Sequence, residues 1–351
     1  MILWGVIAYW TSTNDCDRNA ATPRFPMKAV RYCDYGSPDL VKINDVEKPV
    51  PTDQQVLVKV RAASLNALDA YMIRGPWIGR LIFGLRKPKD TRIGRDVAGE
   101  VEAVGKDVTQ FKPGDEVFGT CRGALAEYAV TSERALVMKP SSVSYEQAAA
   151  LPLAGLTALQ GLRQGKIHAG QKVLINGATG GVGTFAVQIA KALRTEVTAV
   201  CSTRNVDLVR SIGADHVIDY TKEDFTNNAN GYDILFDNVC NHSFAERRRV
   251  LNPDGICVVA GIGGSGVKGG EAIRRIAGNF TALGLSSFGH KKFAQYITKL
   301  SKEDLTMLGD LTQAGKIKPV IERTYTLSQA PEALRYLSEG HARGKIIISA
   351  N

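Results

Sequence analysis

Two grammars of apolar and polar positions divide this chain. Between Lys28 and Lys139 the apolar residues come in short runs, at Lys28–Tyr32, Val41–Val46, Gln55–Ala63, Val97–Val104, Glu116–Gly119, Leu125–Val130 and Ala135–Met138. Turn chemistry such as Ser37-Pro38-Asp39 and Lys112-Pro113-Gly114-Asp115 separates them. Many short strands so spaced predict a compact barrel or sandwich. From Tyr145 the pattern alternates between helix and strand. A helix over Tyr145–Leu162 leads to a strand at Lys172–Asn176, and a second helix leads to Val197–Cys201. A helix at Val206–Ile212 precedes strands at His216–Tyr220, Asp233–Asp237, Ile256–Ala260 and Asn279–Leu285. That alternation predicts a parallel, doubly wound α/β sheet. The last stretch, Lys318 to Ala350, reads as strands at Val320–Tyr325 and Lys345–Ser349 around a helix at Ser328–Glu339, returning to the first domain.

The most informative local feature is the junction after the strand at Lys172–Asn176. Gly177, Gly180 and Gly183 are spaced three apart, and Val182, Phe185, Ala186, Ile189 and Leu193 form one apolar helix face behind them. In a strand-turn-helix that binds a dinucleotide, one glycine allows the tight turn and one lets backbone approach the pyrophosphate. The third lets the helix pack close to the strand. The anion then rests on the unpaired N–H groups and positive dipole end of the helix.

The next strand ends in Cys201-Ser202-Thr203-Arg204-Asn205. An NAD-specific site would place an acid there for the ribose 2′-hydroxyl. Instead Ser202 and Thr203 offer hydroxyls and Arg204 offers a fork of N–H groups matched to phosphate oxygens. NADPH is therefore the expected cofactor.

Composition changes the picture little. The chain has 351 residues, 44% of them apolar and 23% charged, which fits a globular protein of two domains. Six cysteines, at 16, 33, 121, 201, 240 and 257, show no Cys-x-x-Cys or metal-finger spacing, so reduced thiols and a cytoplasmic setting are expected. The net charge is +9, and part of it clusters at Arg74, Arg80, Arg86, Lys87, Lys89, Arg92 and Arg95. No nucleic-acid motif accompanies this segment. Interleaved apolar residues make 74–95 a solvated loop, a lid or a peripheral membrane contact. Arg247-Arg248-Arg249 reads as the solvated face of a helix, and the five histidines as surface or loop residues without metal spacing. Met1–Trp10 is apolar but half the length that spans a bilayer, about 20 residues. Residues 1–26 read as a disordered extension, with Met27 opening the folded domain.

Four motifs now stand in order: Gly94-Arg95-Asp96-Val97-Ala98-Gly99-Glu100-Val101, Lys112-Pro113-Gly114-Asp115-Glu116-Val117, Ala154-Gly155-Leu156-Thr157-Ala158 and the glycine loop Asn176–Gly183, and a barrel-like N-terminal domain precedes the cofactor domain. Together they resemble the medium-chain dehydrogenase/reductase superfamily, and within it the zinc-free quinone oxidoreductase or zeta-crystallin-like group. The resemblance implies a GroES-like β-barrel catalytic domain at 27–147 plus 290–351. It implies a Rossmann domain at 148–289 and a homodimer, and the strand Asn279–Leu285, read near the sheet edge, is the segment available to pair across a two-fold axis. The catalytic zinc ligands of the alcohol dehydrogenases in that superfamily fall on Asn66 and Arg95, and Cys121 stands without companions, so no metal is expected.

The resemblance implies hydride transfer from NADPH to a quinone or to the C=C bond of an α,β-unsaturated carbonyl. Its pyrophosphate loop falls on Thr179, Gly180, Gly181 and Val182. Its 2′-phosphate region falls on Ser202, Arg204 and Tyr220, and Asn238 follows the fourth strand. Asn66 resembles the family's asparagine near the nicotinamide and the substrate carbonyl. Tyr71 can donate a proton only if a cation such as Arg74 or Arg95 lowers its ordinary pKa of about 10; otherwise solvent supplies it. Gly261–Gly266 follows the fifth strand as a loop able to close over the nicotinamide. Two other functions fit the residues: a non-catalytic NADPH-binding structural or redox-sensing protein, and an enoyl thioester reductase whose anionic carrier meets residues 74–95.

Overall fold

The computed structural model describes Cys16 and residues 22–227, 231–260 and 292–350. The Gly261–Gly266 loop, the Asn279–Leu285 strand proposed for dimer pairing, His290 and most of the extension at 1–26 lie outside the described residues. Contacts divide the chain into two units. One holds Met1–Pro152, Arg323–Gly340 and Ile346–Asn351, and the other Leu153–Glu322 and His341–Lys345.

The first unit is β-rich. β1 (Pro26–Tyr32) and β2 (Val41–Glu47) pair antiparallel along their whole length. β3 (Gln55–Leu65) is the longest strand and pairs antiparallel with β4 (Asp96–Val104). β5 (Glu116–Thr120), β6 (Tyr128–Ser132) and β7 (Leu136–Met138) follow. Val56, Val58, Val60 and Ala62 of β3 alternate into the core, each 4% exposed or less. Helices α1 (Ala67–Arg74) and α2 (Trp77–Phe83) fill the connection from β3 to β4. The helix expected over 145–162 is two helices, α3 (Tyr145–Ala150) and α4 (Pro152–Gln164). Pro152 is the cause: it carries no N–H and its ring displaces the carbonyl four residues back, whereas at a helix start neither matters.

The second unit is a six-stranded parallel sheet. Its elements are β8 (Lys172–Asn176), α5 (Gly181–Ala192), β9 (Glu196–Cys201), α6 (Val206–Ser211), β10 (His216–Asp219), β11 (Tyr232–Asp237), α7 (Phe244–Arg249), β12 (Leu251–Val259), β13 (Lys292–Gln295) and α8 (Lys302–Gln313). The strand order is β10-β9-β8-β11-β12-β13. Val173, Leu174 and Ile175 are all fully buried, as expected of a strand covered on both faces. The order reverses between β8 and β11, and ligands of such sheets bind at the strands' carboxyl ends beside that switch point.

Residues 292–322, expected with the barrel, lie with the parallel sheet. β13 pairs with β12, Asp304 accepts from Gln160 at 2.8 Å and pairs with Arg163, and the Tyr296 hydroxyl donates to the Thr157 carbonyl. The chain then runs through β14 (Ile321–Thr326), α9 (Ala330–Ser338) and β15 (Lys345–Ser349). β15 pairs antiparallel with β3, from Ile346 opposite Leu65 to Ser349 opposite Ala62.

Two expectations about single residues are corrected. Cys16 is disulfide-bonded to Cys33, so the cysteines are not all reduced, and their spacing no longer argues for a cytoplasmic setting. Spacing motifs report metal and redox sites but are blind to a pair 17 residues apart that the fold brings together. Arg247 is not on a solvated face: it is 2% exposed and pairs with the fully buried Asp237 at 3.4 Å. A helix turns about 100° per residue, so one arginine of three consecutive ones can face inward while its neighbours stay in water. In the basic segment, Arg74 donates to the Ser338 carbonyl at 2.8 Å, Arg80 donates to the Gly75 carbonyl at 2.6 Å, and Arg92 pairs with Asp90 at 2.8 Å. Leu81 and Leu85 remain exposed. Among the described residues no helix is long and apolar enough to cross a membrane.

Candidate functional site

In the second unit, the glycine loop is built by three different constraints. Gly177 sits at φ +81°, which disfavours any side chain, and a Cβ there would lie 2.7 Å from Val239. A Cβ on Gly183 would lie 2.1 Å from the Gly177 carbonyl oxygen, so the first turn of α5 and the loop can approach only without one. Gly180 is different. It is the N-cap at φ −74°, ψ 172°, and its nearest neighbour to a Cβ is 3.9 Å away. The protein leaves that space open at the mouth of a helix whose first N–H groups have no partner within the helix. This is the cradle a pyrophosphate requires, with Gly181 and Val182 in the first turn and Thr179 beside it.

A segment distant in sequence closes one side of this loop. The Gly344 N–H donates to the Thr179 carbonyl at 2.7 Å, and the Lys345 side chain runs where a Cβ on Gly181 would reach, at 3.0 Å. Nothing local in residues 341–345 signals this.

At the carboxyl ends of β9 and β10 the structure brings Ser202, Arg204 and Tyr220 together. The Tyr220 N–H donates to the Cys201 carbonyl at 3.0 Å, and Cys201 stands opposite Asp219. Arg204 is exposed, its Nη2 donating to the His341 carbonyl at 3.3 Å, and Tyr220 is 61% exposed. Ser202 accepts from Asn205 at 3.2 Å. Thr203 departs from expectation, because its hydroxyl donates to Asp219 at 2.5 Å rather than facing outward. Asp219 also accepts from the Thr221 hydroxyl at 2.7 Å and pairs with Lys222 at 3.5 Å. The Thr203 hydroxyl first, with the Thr221 bonds, pulls its carboxyl down to about 2. Sequence reasoning missed this acid because it lies one strand beyond the position that discriminates the two cofactors.

Asn238 follows β11, its N–H donating to the Asn176 carbonyl at 3.1 Å. The turn is anchored from beneath by Asp237, which accepts from Asn176 Nδ2 at 2.9 Å and from the Cys240 N–H at 2.9 Å. Arg247 answers that buried charge.

The first unit carries Asn66 and Tyr71 on α1. Asn66 is the N-cap, and its backbone N–H donates to the Asp69 carboxylate at 2.8 Å while the Asp69 N–H donates to the Asn66 carbonyl at 2.9 Å. An acid at this position also faces the positive end of the helix. Asn66 Nδ2 donates to Asp96 Oδ2 at 3.0 Å, and the Ser64 hydroxyl donates to the same oxygen at 2.8 Å. All four residues are buried, Asn66 being the most exposed at 8%. Tyr71 is half-buried. Burial pushes its phenol up, and neither Arg74 nor Arg95 offsets this, so the condition for its acting as an acid at neutral pH is not met.

Burial also raises Asp69 to about 6, with the Asp96 charge adding to the effect. A carboxyl whose folded pKa lies above its unfolded 3.8 stabilises the fold most below 3.8, and that contribution is lost as pH rises through 6. Asp69→Asn keeps an acceptor at the cap and removes this titration. Its stability relative to the parent should rise between pH 4 and pH 7 by on the order of 2–3 kcal/mol. Urea midpoints across that range measure it; a difference independent of pH would refute the assignment.

Comparison with known proteins places the chain. Residues 52–141 match the model of the alcohol dehydrogenase GroES-like domain, and residues 212–348 the model described as zinc-binding dehydrogenase. The chain is 33% identical to the chloroplastic NADPH-dependent alkenal/one oxidoreductase of Arabidopsis thaliana, over 94% of this chain and 81% of that protein. It is 35% identical to a chloroplastic quinone oxidoreductase of Triphysaria versicolor, over 92% of this chain and 98% of that protein. Among solved structures, the quinone oxidoreductase from Coxiella burnetii superposes with a TM-score of 0.79 at 31% identity, covering 93% of this chain and 100% of that one.

Proposed function

The chain belongs to the medium-chain dehydrogenase/reductase superfamily, and we propose that it is a zinc-independent reductase transferring hydride from NADPH to a quinone or to the C=C bond of an α,β-unsaturated carbonyl. The observation that carries the reading is the open cradle at Gly180, with Arg204 and Tyr220 at the neighbouring strand ends. Thr179, Gly180, Gly181 and Val182 hold the pyrophosphate, Gly177 and Gly183 shape the loop, and Asn238 borders the cofactor. Ser202, Arg204 and Tyr220 take the 2′-phosphate. When bound, the nicotinamide supplies a hydride equivalent; a single proton completes reduction of a quinone to its hydroquinone or of an enone to the saturated ketone.

Zinc does not fit this donor set. Asn66 presents an amide N–H to Asp96, and Arg95 is a cation that offers no lone pair. Among the described residues no cluster of three His, Cys, Asp or Glu side chains forms elsewhere. The chain's own contribution to charge development on the acceptor carbonyl is then hydrogen bonding, with Asn66 as the donor. Solvent delivers the proton, since burial raises the Tyr71 phenol and makes it a weaker acid.

The reading is tested by NADPH oxidation with chelator-treated protein against quinones, short and long enones, an enoyl thioester and aldehydes. Turnover on quinones or enones, unchanged by chelation, is expected. Activity that requires added zinc, or that appears only with alcohols or aldehydes, would overturn it. Tight NADPH binding with no turnover would instead identify a binding or sensing protein.

A further inference from the structure

We infer that Asp96 is a positioning residue for the reaction, holding the Asn66 carboxamide in one of its two flipped orientations. The inference rests on the reading of Asn66 as the group that meets the acceptor carbonyl.

An asparagine side chain is nearly symmetric in shape but not in chemistry. Rotation by 180° exchanges an acceptor oxygen for a two-proton donor in the same volume. The capping box of α1 already directs the Asn66 side chain toward the Asp69 N–H, an arrangement that places the oxygen on the helix side. Here the fully buried Asp96 carboxylate lies 3.0 Å from the terminal nitrogen of Asn66. A carboxylate oxygen only accepts, so Nδ2 must face it; the flipped orientation would press two acceptor oxygens together in a site with little water. The second Nδ2 proton points away from the Asp96 bond in the fixed amide plane, and the negative charge behind the nitrogen is the geometry of a charge-assisted donor.

Asp96 is itself held in place. It stands directly opposite Ser64 in the β3–β4 ladder, and the Ser64 hydroxyl bonds the same Oδ2 at 2.8 Å. From below, Asp69 fixes the Asn66 backbone through its N–H. The carboxamide is thus fixed at both ends, its oxygen side by the helix capping box and its terminal nitrogen by a strand 30 residues away. Losing a buried hydrogen bond to a charged group is worth a factor of about 10–100 in an equilibrium or a rate.

The test is a double-mutant cycle on the acceptor with the best turnover. Asn66→Ala and Asp96→Ala should each lower kcat about 10–100-fold with the KM for NADPH unchanged, and Asp96→Ala should cost little more once Asn66 is alanine. Asp96→Asn, which can still offer an oxygen to Nδ2, should recover part of the loss. Ser64→Ala loosens Asp96 but keeps the Asp96–Asn66 bond, so its loss in kcat should be smaller than that of Asp96→Ala; a loss equal to that of Asp96→Ala would mean a merely structural role. Additive losses, or an Asp96→Ala enzyme with full kcat beside a crippled Asn66→Ala enzyme, would overturn the inference and leave the proposed function intact. An Asn66→Ala enzyme with full kcat would remove both residues from the reaction.

A readout independent of turnover stands beside it. In protein labelled with 15N-asparagine, the side-chain NH2 signal that disappears in Asn66→Ala should be protected from exchange with solvent. That protection should be lost in Asp96→Ala. An Asn66 NH2 that exchanges freely in the parent protein would overturn the inference even if no acceptor were turned over.

Discussion

Gly183→Ala is expected to abolish cofactor binding and to destabilise the second unit, whereas Gly180→Ala three residues earlier should leave stability alone. The two glycines look equivalent in sequence, yet their surroundings differ. A methyl at 183 would sit 2.1 Å from the Gly177 oxygen and 2.8 Å from two backbone atoms of Ala178. Backbone cannot rotate away as a side chain can, so the loop and the helix must part. That separation moves the helix N–H groups off the anion, and overpacking of this kind typically costs about 1–3 kcal/mol in stability as well. We expect NADPH affinity to fall at least about 100-fold. At 180 the backbone is extended and the space is open to 3.9 Å, so a methyl meets no protein atom. In the proposed binding mode it meets the pyrophosphate. Melting temperature should be unchanged and NADPH affinity should drop by about tenfold or more, one unsatisfied close approach being worth roughly 1.4 kcal/mol. Fluorescence titration with NADPH and thermal melts of both variants measure this. If Gly180→Ala binds NADPH like the parent, the cradle is not where the pyrophosphate lies.

Arg204→Ala should raise the KM for NADPH about 10–100-fold while leaving that for NADH and the saturated kcat nearly unchanged. The guanidinium is exposed at the end of β9, and it donates to the His341 peptide carbonyl at 3.3 Å. Such a bond is exchanged readily for a phosphate oxygen, and a charge-assisted bond of that kind is worth about 1.5–3 kcal/mol. Thr203 cannot substitute, because its hydroxyl is committed to Asp219. The loss of Arg204 also leaves Asp219 nearby, a charge that disfavours a second anion. Added salt should narrow the parent's preference for NADPH, as screening weakens exposed charge pairs. Equal kcat/KM for the two cofactors in the parent would end this assignment at once.

Both predictions use features with different degrees of legibility. The strand, the glycine spacing and the amphipathic helix of 172–193 lie within about twenty residues, and each is a property of backbone stereochemistry and local periodicity. The roles of the individual glycines were not legible. The clash at Gly183 is with a residue six positions back, but its severity depends on how the loop folds. Arg204 was visible as a cation after a strand, whereas Asp219 reached the same edge only through the parallel pairing of β10 with β9.

By itself the sequence determined the change from β-rich to alternating architecture and the glycine-loop helix. Those are written in residue types and spacings that act over a few turns of chain. Tertiary structure alone decided which buried polar groups meet. Ser64 faces Asp96 because β3 and β4 pair in that register, and Asn66 inherits the contact one step beyond the strand. Arg247 turns inward because Asp237 waits there uncompensated, and residues 341–345 close the glycine loop from more than 150 positions away. A buried charge or amide must find a partner or forfeit its solvation. The sequence announces that need, but only the packed fold determines which distant residue meets it.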